Sequence, residues 1–291
     1  MRTEVVDGRE YQIPDQPIIN IDGQEFATGL WLPSQLDPYD KPVLMSVGSS
    51  AFRDMKDVAE AVANPNRTTA DKLFPPKEWT RSQGQVSSCN GYAGVGALAR
   101  ARVRNGLDRV FLAGETLYSQ INRGRDNGSG LKDGIEALVR TGCAPEGTCK
   151  AQTFYTESSL PAEAKAQRHR FRAEEWHQAN SEFELAVALA SSFICVIAVH
   201  VGSRWRQFNG DMLVGDNGVG NHAVVCDDVR FKPGSLTPEF RVPNSHGLTW
   251  GRDGVGWMLW DRHFTGPSKH HMYYAIRSVK QDPEASNPPK L

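Results

Sequence analysis

The sequence predicts an α+β domain in which the helices come first and the strands follow. An Ala-rich stretch over residues 89–104 has helical character and ends at Asn105-Gly106, a common helix C-terminus. Beyond residue 190, short apolar runs separated by Gly, Pro and Asn replace this pattern and indicate strands. Hydrophobic residues make up 39% of the chain and charged residues 23%, which suits a folded core. Helices followed by strands favour two segregated lobes.

Local patterns define the individual elements. The first predicted helix stops at Asn64-Pro65-Asn66, because polar turns that contain proline end helices. Ser181 and Glu184 form a capping box that opens a helix running to residue 190. The predicted helices span residues 51–63, 89–104, 131–140, 161–175 and 181–190. The predicted strands span residues 193–201, 222–231, 239–245, 254–264 and 270–279.

The chain divides into three parts by composition. Residues 1–70 mix short extended stretches with Pro and Gly, which predicts an N-terminal arm or a small added layer. We expect this arm to pack on the outside of the main domain or to join a protein assembly. Residues 71–280 form the main domain, and residues 281–291, with three prolines, are predicted to be a loose tail.

Charge and cysteine content exclude several classes of function. A net charge of −1 gives no basic surface for nucleic acid, and the longest apolar run is too short to cross a membrane. The N-terminus has no apolar signal-peptide core, which favours the cytoplasm or a larger particle. No Cys or His pair has zinc-ligand spacing, so neither a metal nor another cofactor is expected.

The five cysteines do not form a disulfide framework. Cys195 and Cys226 lie in apolar runs and are predicted to be buried thiols. Cys143 and Cys149 could bridge a short loop or remain free.

Cys89 stands where a loop meets the start of the predicted helix over residues 89–104. The first-turn N–H groups and the helix dipole favour a negative charge at that position, so a thiolate there has a lowered pKa. A cysteine at this junction would be exposed and activated as a nucleophile, but position alone favours the alternative of a helix N-terminal thiol without a role.

Several segments, in the right order, resemble those of the papain-like cysteine peptidases. Residues 83–89 (Gln-Gly-Gln-Val-Ser-Ser-Cys) resemble the segment that carries the nucleophile, and residues 73–81 resemble the mature N-terminus with its Pro and Trp. Residues 221–225 (Asn-His-Ala-Val-Val) resemble the histidine strand. Residues 243–251 resemble the Asn-Ser…Trp-Gly segment. The histidine and asparagine follow the cysteine by roughly 130–150 residues, as the family places them, with the asparagine slightly late.

The resemblance implies a papain-like two-lobed fold with an active-site cleft between a helical lobe and an antiparallel sheet lobe. Cys89 would attack a peptide carbonyl, and His222 would hold the proton and return it to the leaving amine. Asn244 would orient the imidazole. Gln83 and the backbone N–H of Cys89 would bind the oxyanion.

The resemblance also implies a substrate site for an extended peptide or protein chain. Gly128, Ser129 and Gly130 fall where the family has a Gly-rich loop that pairs with substrate backbone. Trp250 would pack over the His–Asn pair and exclude water.

The sequence departs from the family at three points. Asn90 replaces an aromatic residue after the nucleophile, and His246 replaces a Trp after Asn-Ser. We expect His246 to form a smaller, more polar wall beside the site and to titrate near neutrality. Residues 1–70 lack the usual helical propeptide pattern, so the arm is not expected to block the cleft.

Three other functions remain open beside a thiol peptidase. The domain could be kept as a structural or binding part of a viral particle or secretion assembly. A catalytically inactive domain, however, would not need Gln83, Cys89, His222 and Asn244 together. It could instead hydrolyse a cell-wall peptide or an isopeptide. A transglutaminase-like acyl transferase would prefer Asp where Asn244 stands.

Overall fold

A computed structural model of the chain describes residues 2–6, 8–13, 18–21, 24–33, 41–47, 51–213, 220–260, 273–277 and 279. The predicted α+β class is confirmed, with a helical lobe and a lobe of mainly antiparallel sheets, in which β13 and β9 form a parallel pair. The helices are α1 (Val43–Val47), α2 (Met55–Val62), α3 (Ala70–Leu73), α4 (Pro76–Trp79), α5 (Cys89–Arg104), α6 (Gly114–Ile121), α7 (Leu131–Arg140), α8 (Ala162–Gln167), α9 (Glu182–Ala190) and α10 (Ser203–Arg206).

The strands form four sheets in the described parts of the chain. They are β1 (Arg2–Val6), β2 (Arg9–Ile13), β3 (Ile18–Ile21), β4 (Gln24–Ala27), β5 (Leu30–Pro33), β6 (Ser129–Gly130), β7 (His177–Gln178), β8 (Ile194–Val199), β9 (Met212–Leu213), β10 (His222–Cys226), β11 (Asp228–Phe231), β12 (Pro238–Pro243), β13 (Val255–Leu259) and β14 (Tyr273–Ile276). The sheet orders are β1-β2-β5-β6, β10-β8-β14-β7, β11-β12-β13-β9 and β3-β4.

Helix α5 is the centre of the helical lobe and has the bounds that the sequence predicts. It packs against α6 and α7 on one side and against β10 of the sheet lobe on the other. Gly91 permits the approach of α6, because a Cβ there would collide with the backbone oxygen of Gly114 and the side chain of Tyr118. The helix start is thereby held against the interface between the lobes.

The predicted strand over residues 222–231 is two strands in the structure. β10 pairs with β8 in one sheet and β11 pairs with β12 in another, and the chain changes sheet at Asp227. The side chain of Asp227 is fully buried and ion-paired, which fixes this turn. The prediction of one continuous strand was wrong because the break depends on a long-range ion pair.

Two helices also differ from the prediction. The helix predicted over residues 161–175 ends at Gln167 and continues only as a 3₁₀ turn over residues 168–170. Phe171 and Ala173 form β-bridges to Cys143 and Val279 instead, so tertiary pairing overrides the polar helical pattern. Helix α6, whose first four residues include a glycine, was not predicted.

The capping prediction for α9 is confirmed at Ser181, whose hydroxyl accepts the N–H of Glu184 at 3.2 Å. Cys195 and Cys226 are buried free thiols, as predicted, and Cys143 and Cys149 are also free. The predicted strands over residues 254–264 and 270–279 are present as β13 and β14; residues 261–272 and the predicted tail at 281–291 lie outside the described residues. Among the described helices, none has the length and apolar character needed to cross a bilayer.

The N-terminal arm is joined to the main domain by backbone pairing. Strand β5 pairs with β2 on one edge and, in parallel, with β6 of the helical lobe on the other. Later in the arm, Val58 of α2 is part of the core of the sheet lobe. These contacts attach the arm to both lobes.

A buried charge cluster connects the elements that carry the predicted site residues. The Asp227 carboxylate accepts hydrogen bonds from Arg100 of α5 at 2.9 Å and from Arg241 of β12 at 2.8 Å. Arg241 also reaches Asp71 at 2.9 Å and the backbone oxygen of Phe74 at 3.3 Å. Burial lowers the pKa of Arg100 to about 10, against the attraction of Asp227. We call Arg100, Asp227 and Arg241 the Asp227 cluster.

We predict that Asp227→Asn lowers the free energy of unfolding by roughly 3–5 kcal/mol, because it leaves two buried guanidinium groups without their shared carboxylate. Chemical denaturation of both proteins measures the difference. Glu157→Gln, which removes a half-exposed partner of Arg168, is the control and should cost less than about 1 kcal/mol. Equal losses for the two variants would show that the Asp227 cluster does not hold the fold.

Candidate active site

Cys89 and His222 lie at the starts of α5 and β10, two elements that pack together, and the described residues include no hydrogen bond between the two side chains. Cys89 is the first residue of α5, and His222 is the first residue of β10, opposite Val199 of β8. The backbone N–H of Ala223 lies near the Cys89 sulfur and lowers the pKa of the thiol, so the sulfur lies beside the residue that follows His222. Each side chain is therefore positioned by the end of a regular element, one from each lobe.

The His222 imidazole is held by Asn244, which follows β12. The Nε2 atom of His222 lies 2.9 Å from Oδ1 of Asn244. That oxygen also accepts the backbone N–H of Ser245 at 2.8 Å. The other imidazole nitrogen, Nδ1, has no hydrogen-bond partner among the residues that the structure describes. An amide oxygen accepts only, so Nε2 carries the proton and Nδ1 can act as a base.

Gln83 is buried, and its side-chain amide is fully used in this structure. Its Nε2 donates to the backbone oxygens of Ala27 and Val86, both at 2.9 Å. Its Oε1 accepts the hydroxyl of Ser245 at 2.6 Å, which ties the loop before Cys89 to the segment that carries Asn244. One of the two N–H groups predicted to bind an oxyanion is thus occupied by a carbonyl of the N-terminal arm.

Residues 27–31 of the arm run through the cleft between the lobes. The oxygen of Gly29 accepts the N–H of Ser129 at 2.8 Å, and the N–H of Leu30 donates to Asn221 at 3.2 Å. The backbone N–H of Gly29 lies near the sulfur of Cys89, where it favours the thiolate and lowers the pKa. The expectation that the arm packs outside the main domain is therefore wrong for this segment, which covers the nucleophile.

Two glycines make this close passage possible. A Cβ on Gly29 would meet the backbone oxygen and the Cβ of Ser87, and a Cβ on Gly128 would meet the backbone of Gly29. Gly128 also has a φ of 96°, a conformation that L side chains rarely adopt. The predicted Gly-rich loop therefore does bind an extended backbone, and in this structure that backbone is the arm of the same chain.

Burial controls the ionisation of the predicted reactive pair. Cys89 and His222 are both fully buried. Burial raises the pKa of the Cys89 thiol, and the N–H groups of Ala223 and Gly29 oppose this effect without cancelling it. Burial lowers the pKa of His222 to about 4, although its bond with Asn244 acts in the other direction. The prediction of an exposed thiolate is wrong for this closed structure, in which thiol and imidazole are neutral.

Asn90, which stands where the family has an aromatic residue, anchors the Gly-rich loop to α5. Its Nδ2 donates to the hydroxyl of Ser129 at 3.1 Å and to the backbone oxygen of Gly130 at 2.6 Å. Asn90 is the residue after the nucleophile. It thus fixes the strand β6, which pairs with the arm.

Trp250 is buried behind a second tryptophan. Its indole N–H donates to the backbone oxygen of Trp205 at 2.9 Å, and the two rings lie 4.7 Å apart. Trp205 then meets His222 edge-on, with ring centroids 6.0 Å apart. The resemblance implied that Trp250 packs over the His222–Asn244 pair. In the structure the indole described beside the His222 imidazole is that of Trp205, in the short helix α10. Contact between Trp250 and a substrate stays a prediction.

His246 lies directly against the imidazole of His222. The two rings stack with centroids 4.6 Å apart and planes 27° apart, and Nδ1 of His246 lies 2.9 Å from Nδ2 of Asn244. Burial and the neighbouring His222 lower the pKa of His246 well below its usual value. The expectation that His246 titrates near neutrality is therefore wrong, because the ring is fully buried.

Comparison with solved structures identifies the fold. The chain resembles xylellain, a cysteine protease from Xylella fastidiosa, with a TM-score of 0.58 and 18% identity over 79% of this chain and 91% of that one. It resembles the proform of Amb a 11, a ragweed pollen cysteine protease, with a TM-score of 0.56 and 19% identity over 75% and 67%. The Carica candamarcensis cysteine protease CMS1MS2 in complex with E-64 gives a TM-score of 0.54 and 14% identity over 70% and 92%.

The chain has a papain-like fold. The resemblance noted in the sequence is confirmed at this level, by structures that are too distant in sequence to show more than the fold. No protein-family model and no curated protein sequence matches the chain.

Within the papain-like fold, the structure brings four predicted residues to one place. Gln83, Cys89, His222 and Asn244 lie around the junction of α5 with the sheet lobe. Sequence reasoning missed the passage of residues 27–31 through the cleft. In the described parts of the chain, no group of three or more His, Cys, Asp and Glu side chains is arranged to hold a metal ion.

We predict that stability falls as the pH falls from about 6.5 to about 4. The pKa of His222 is about 4 in the folded protein and 6.5 for a free imidazole, so the unfolded chain binds the extra proton across this window. Below pH 4 the loss attributable to His222 reaches roughly 3 kcal/mol. Denaturant unfolding at pH 7 and pH 4 measures it.

His222→Gln should remove the part of the acid-induced loss that His222 contributes and leave the part that the buried His246 contributes, whereas His169→Gln, at an exposed surface histidine, should leave the whole loss unchanged. An identical pH dependence for the wild-type protein and His222→Gln would contradict a buried neutral imidazole at this position.

Proposed function

We propose that the chain is a cysteine peptidase that hydrolyses peptide bonds with Cys89 as nucleophile, His222 as base and acid, and Asn244 as the group that orients His222. The observation that carries this proposal is an extended backbone running past the Cys89 sulfur, with the Gln83 amide bonded to one of its carbonyl oxygens. A peptide substrate has the same backbone groups.

The proposed reaction starts when substrate replaces the arm. The Cys89 thiol transfers its proton to Nδ1 of His222, and the thiolate attacks the scissile carbonyl carbon. Nε2 of Gln83 and the backbone N–H of Cys89 stabilise the oxyanion. His222 then protonates the leaving amine, and water attacks the thioester with His222 as base. Asn244 keeps the proton of the neutral ring on Nε2 throughout.

The arm acts as an internal blocker in this proposal. The carbonyl of Ala27 uses a Gln83 N–H that the oxyanion needs, and Gly29 covers the sulfur. Four of the similar solved structures are proforms: two of Amb a 11, one of a Tenebrio molitor procathepsin L and one of a Trypanosoma congolense procathepsin B. Residues 27–31 would therefore have to leave the cleft before any peptide is cut.

The proposed substrate is an extended peptide or protein segment. The parallel pairing of Leu30 and Trp31 of the arm with Ser129 and Gly130 supports a role for the Gly-rich loop in pairing with a substrate backbone. Backbone hydrogen bonds of this kind provide affinity without reading side chains.

A catalytically inactive papain-like binding module is the second candidate. The full burial of Cys89 and the neutral state of both reactive groups favour it, because a domain kept for binding would need no thiolate. Chemistry at Cys89 after displacement of the arm distinguishes the two candidates.

We predict that Gly29→Ala raises the rate of Cys89 alkylation by at least roughly tenfold at pH 7, because the added Cβ collides with Ser87 and Gly128 and drives the arm out of the cleft. Iodoacetamide labelling followed by peptide mass mapping gives the rate for each cysteine. Val5→Ala, at an exposed arm residue, is the matched control and should leave the rate unchanged. Equal rates in all three proteins would mean that the arm does not cover the nucleophile.

We further predict that the Gly29→Ala protein hydrolyses members of a mixed peptide library and is inactivated by the epoxide E-64 at Cys89 alone. Adding His222→Ala should lower kcat by roughly 10²–10⁴-fold through loss of the base. Adding Gln83→Ala should lower it by roughly 10²–10³-fold through loss of an oxyanion donor. An alkylated Cys89 in a protein that cleaves no peptide would favour the catalytically inactive binding module.

A further inference from the structure

The amide of Asn244 is held between two imidazoles. Its Oδ1 accepts from Nε2 of His222 at 2.9 Å and from the backbone N–H of Ser245 at 2.8 Å. Its Nδ2 lies 2.9 Å from Nδ1 of His246 on the other side. All three groups are buried, so water does not replace any of these contacts.

Only one orientation of this amide satisfies every partner. If it turned by 180°, Nδ2 would face the N–H of Ser245 and Oδ1 would face His246. Two donors would then oppose each other in a buried site, which is strongly unfavourable. In the observed orientation His246 accepts through Nδ1, so the proton of its neutral ring is on Nε2.

We infer that His246 is a positioning residue, which fixes the Nδ2 end of the Asn244 amide while the N–H of Ser245 fixes the Oδ1 end, and which thereby helps to keep the His222 proton on Nε2, with Nδ1 free to take the proton of Cys89. This inference rests on the proposed peptidase function. The amide oxygen that faces His222 can only accept, and the His222 tautomer follows from that fact. His246 therefore acts on the base through Asn244, without touching a substrate.

The position of His246 is itself fixed from two directions. Its ring stacks on His222, and its backbone forms a β-bridge with Ser82, the residue before Gln83. The next residue, Gly247, donates its N–H to the oxygen of Arg81 at 3.2 Å. Burial lowers the pKa of His246, which keeps Nδ1 available as an acceptor. The same bridge links the histidine to the loop that carries the proposed oxyanion donor.

The test compares His246→Phe, which keeps a flat ring but removes the acceptor, with His246→Gln, which retains an acceptor oxygen. The ¹⁵N NMR shifts of the His222 ring in the full-length protein report its tautomer and require no activity, and His222→Gln assigns the signals. We expect only the Nε2–H tautomer in the wild-type protein, a mixture of tautomers in His246→Phe, and recovery of the single tautomer in His246→Gln.

Kinetics in full-length protein that also carries Gly29→Ala give the second readout. His246→Phe should lower kcat roughly fivefold to tenfold with KM unchanged within about twofold, and His246→Gln should recover at least half of that loss. A single Nε2–H tautomer in folded His246→Phe overturns the inference, as does a Gln variant with tautomers as mixed as those of the Phe variant.

Two further outcomes keep the test decisive. If His246→Phe does not fold, His246→Leu also lacks the acceptor and is measured instead. If the wild-type protein, His246→Phe and His246→Gln all show the expected tautomers but no protein with Gly29→Ala cleaves peptide, the proposed peptidase function fails while the positioning by His246 stands.

Discussion

The geometry of the site depends on one buried carboxylate, that of Asp227. Helix α5 carries Cys89 at its start and Arg100 three turns later, and Arg100 binds Asp227. Strand β10 begins at His222 and ends directly before Asp227, and β12, which contains Arg241, leads to Asn244. A single charge therefore fixes the three elements that deliver the three proposed reactive residues. Buried ion pairs add little net stability, but they specify which groups can meet.

The arm adds a second constraint, which acts on charge rather than on position. Residues 27–31 pass over Cys89, and burial of Cys89 and of His222 favours the neutral forms of both groups. Removal of the arm would return water to the site and would favour an ion pair between the Cys89 thiolate and the His222 imidazolium. In the proposed mechanism, the Asp227 cluster fixes the positions of the reactive groups. The arm separately controls their ionisation.

Local patterns in the sequence predicted the features that depend on neighbouring residues. The bounds of α5 follow from an Ala-rich run and its Asn-Gly end, and the cap at Ser181 follows from one side chain and a nearby N–H. The proximity of Gln83, Cys89, His222 and Asn244 was expected from the resemblance of their motifs to those of papain-like peptidases, because local patterns alone do not say which elements meet.

Long-range pairing accounts for what the sequence did not predict. The parallel contact of residues 30 and 31 with residues 129 and 130 joins two segments that share no local signal. The break at Asp227 depends on arginines from two other elements, and the place of Trp205 beside His222 depends on how α10 packs. The stacking of His246 on His222 depends on how two strands lie relative to each other: β10, which begins with His222, and β12, which precedes His246.

The most direct test of this account is the titration of Cys89, followed by thiolate absorbance near 240 nm as the difference between each protein and its Cys89→Ala counterpart. In the wild-type chain we predict a pKa above the usual value for a thiol, because the arm keeps the sulfur out of water. In Gly29→Ala, where the arm is displaced, we predict a pKa below that usual value, because the helix N-terminus and His222 then favour the thiolate. The same titration curve in both proteins would contradict the claim that the arm sets the charge state of the site.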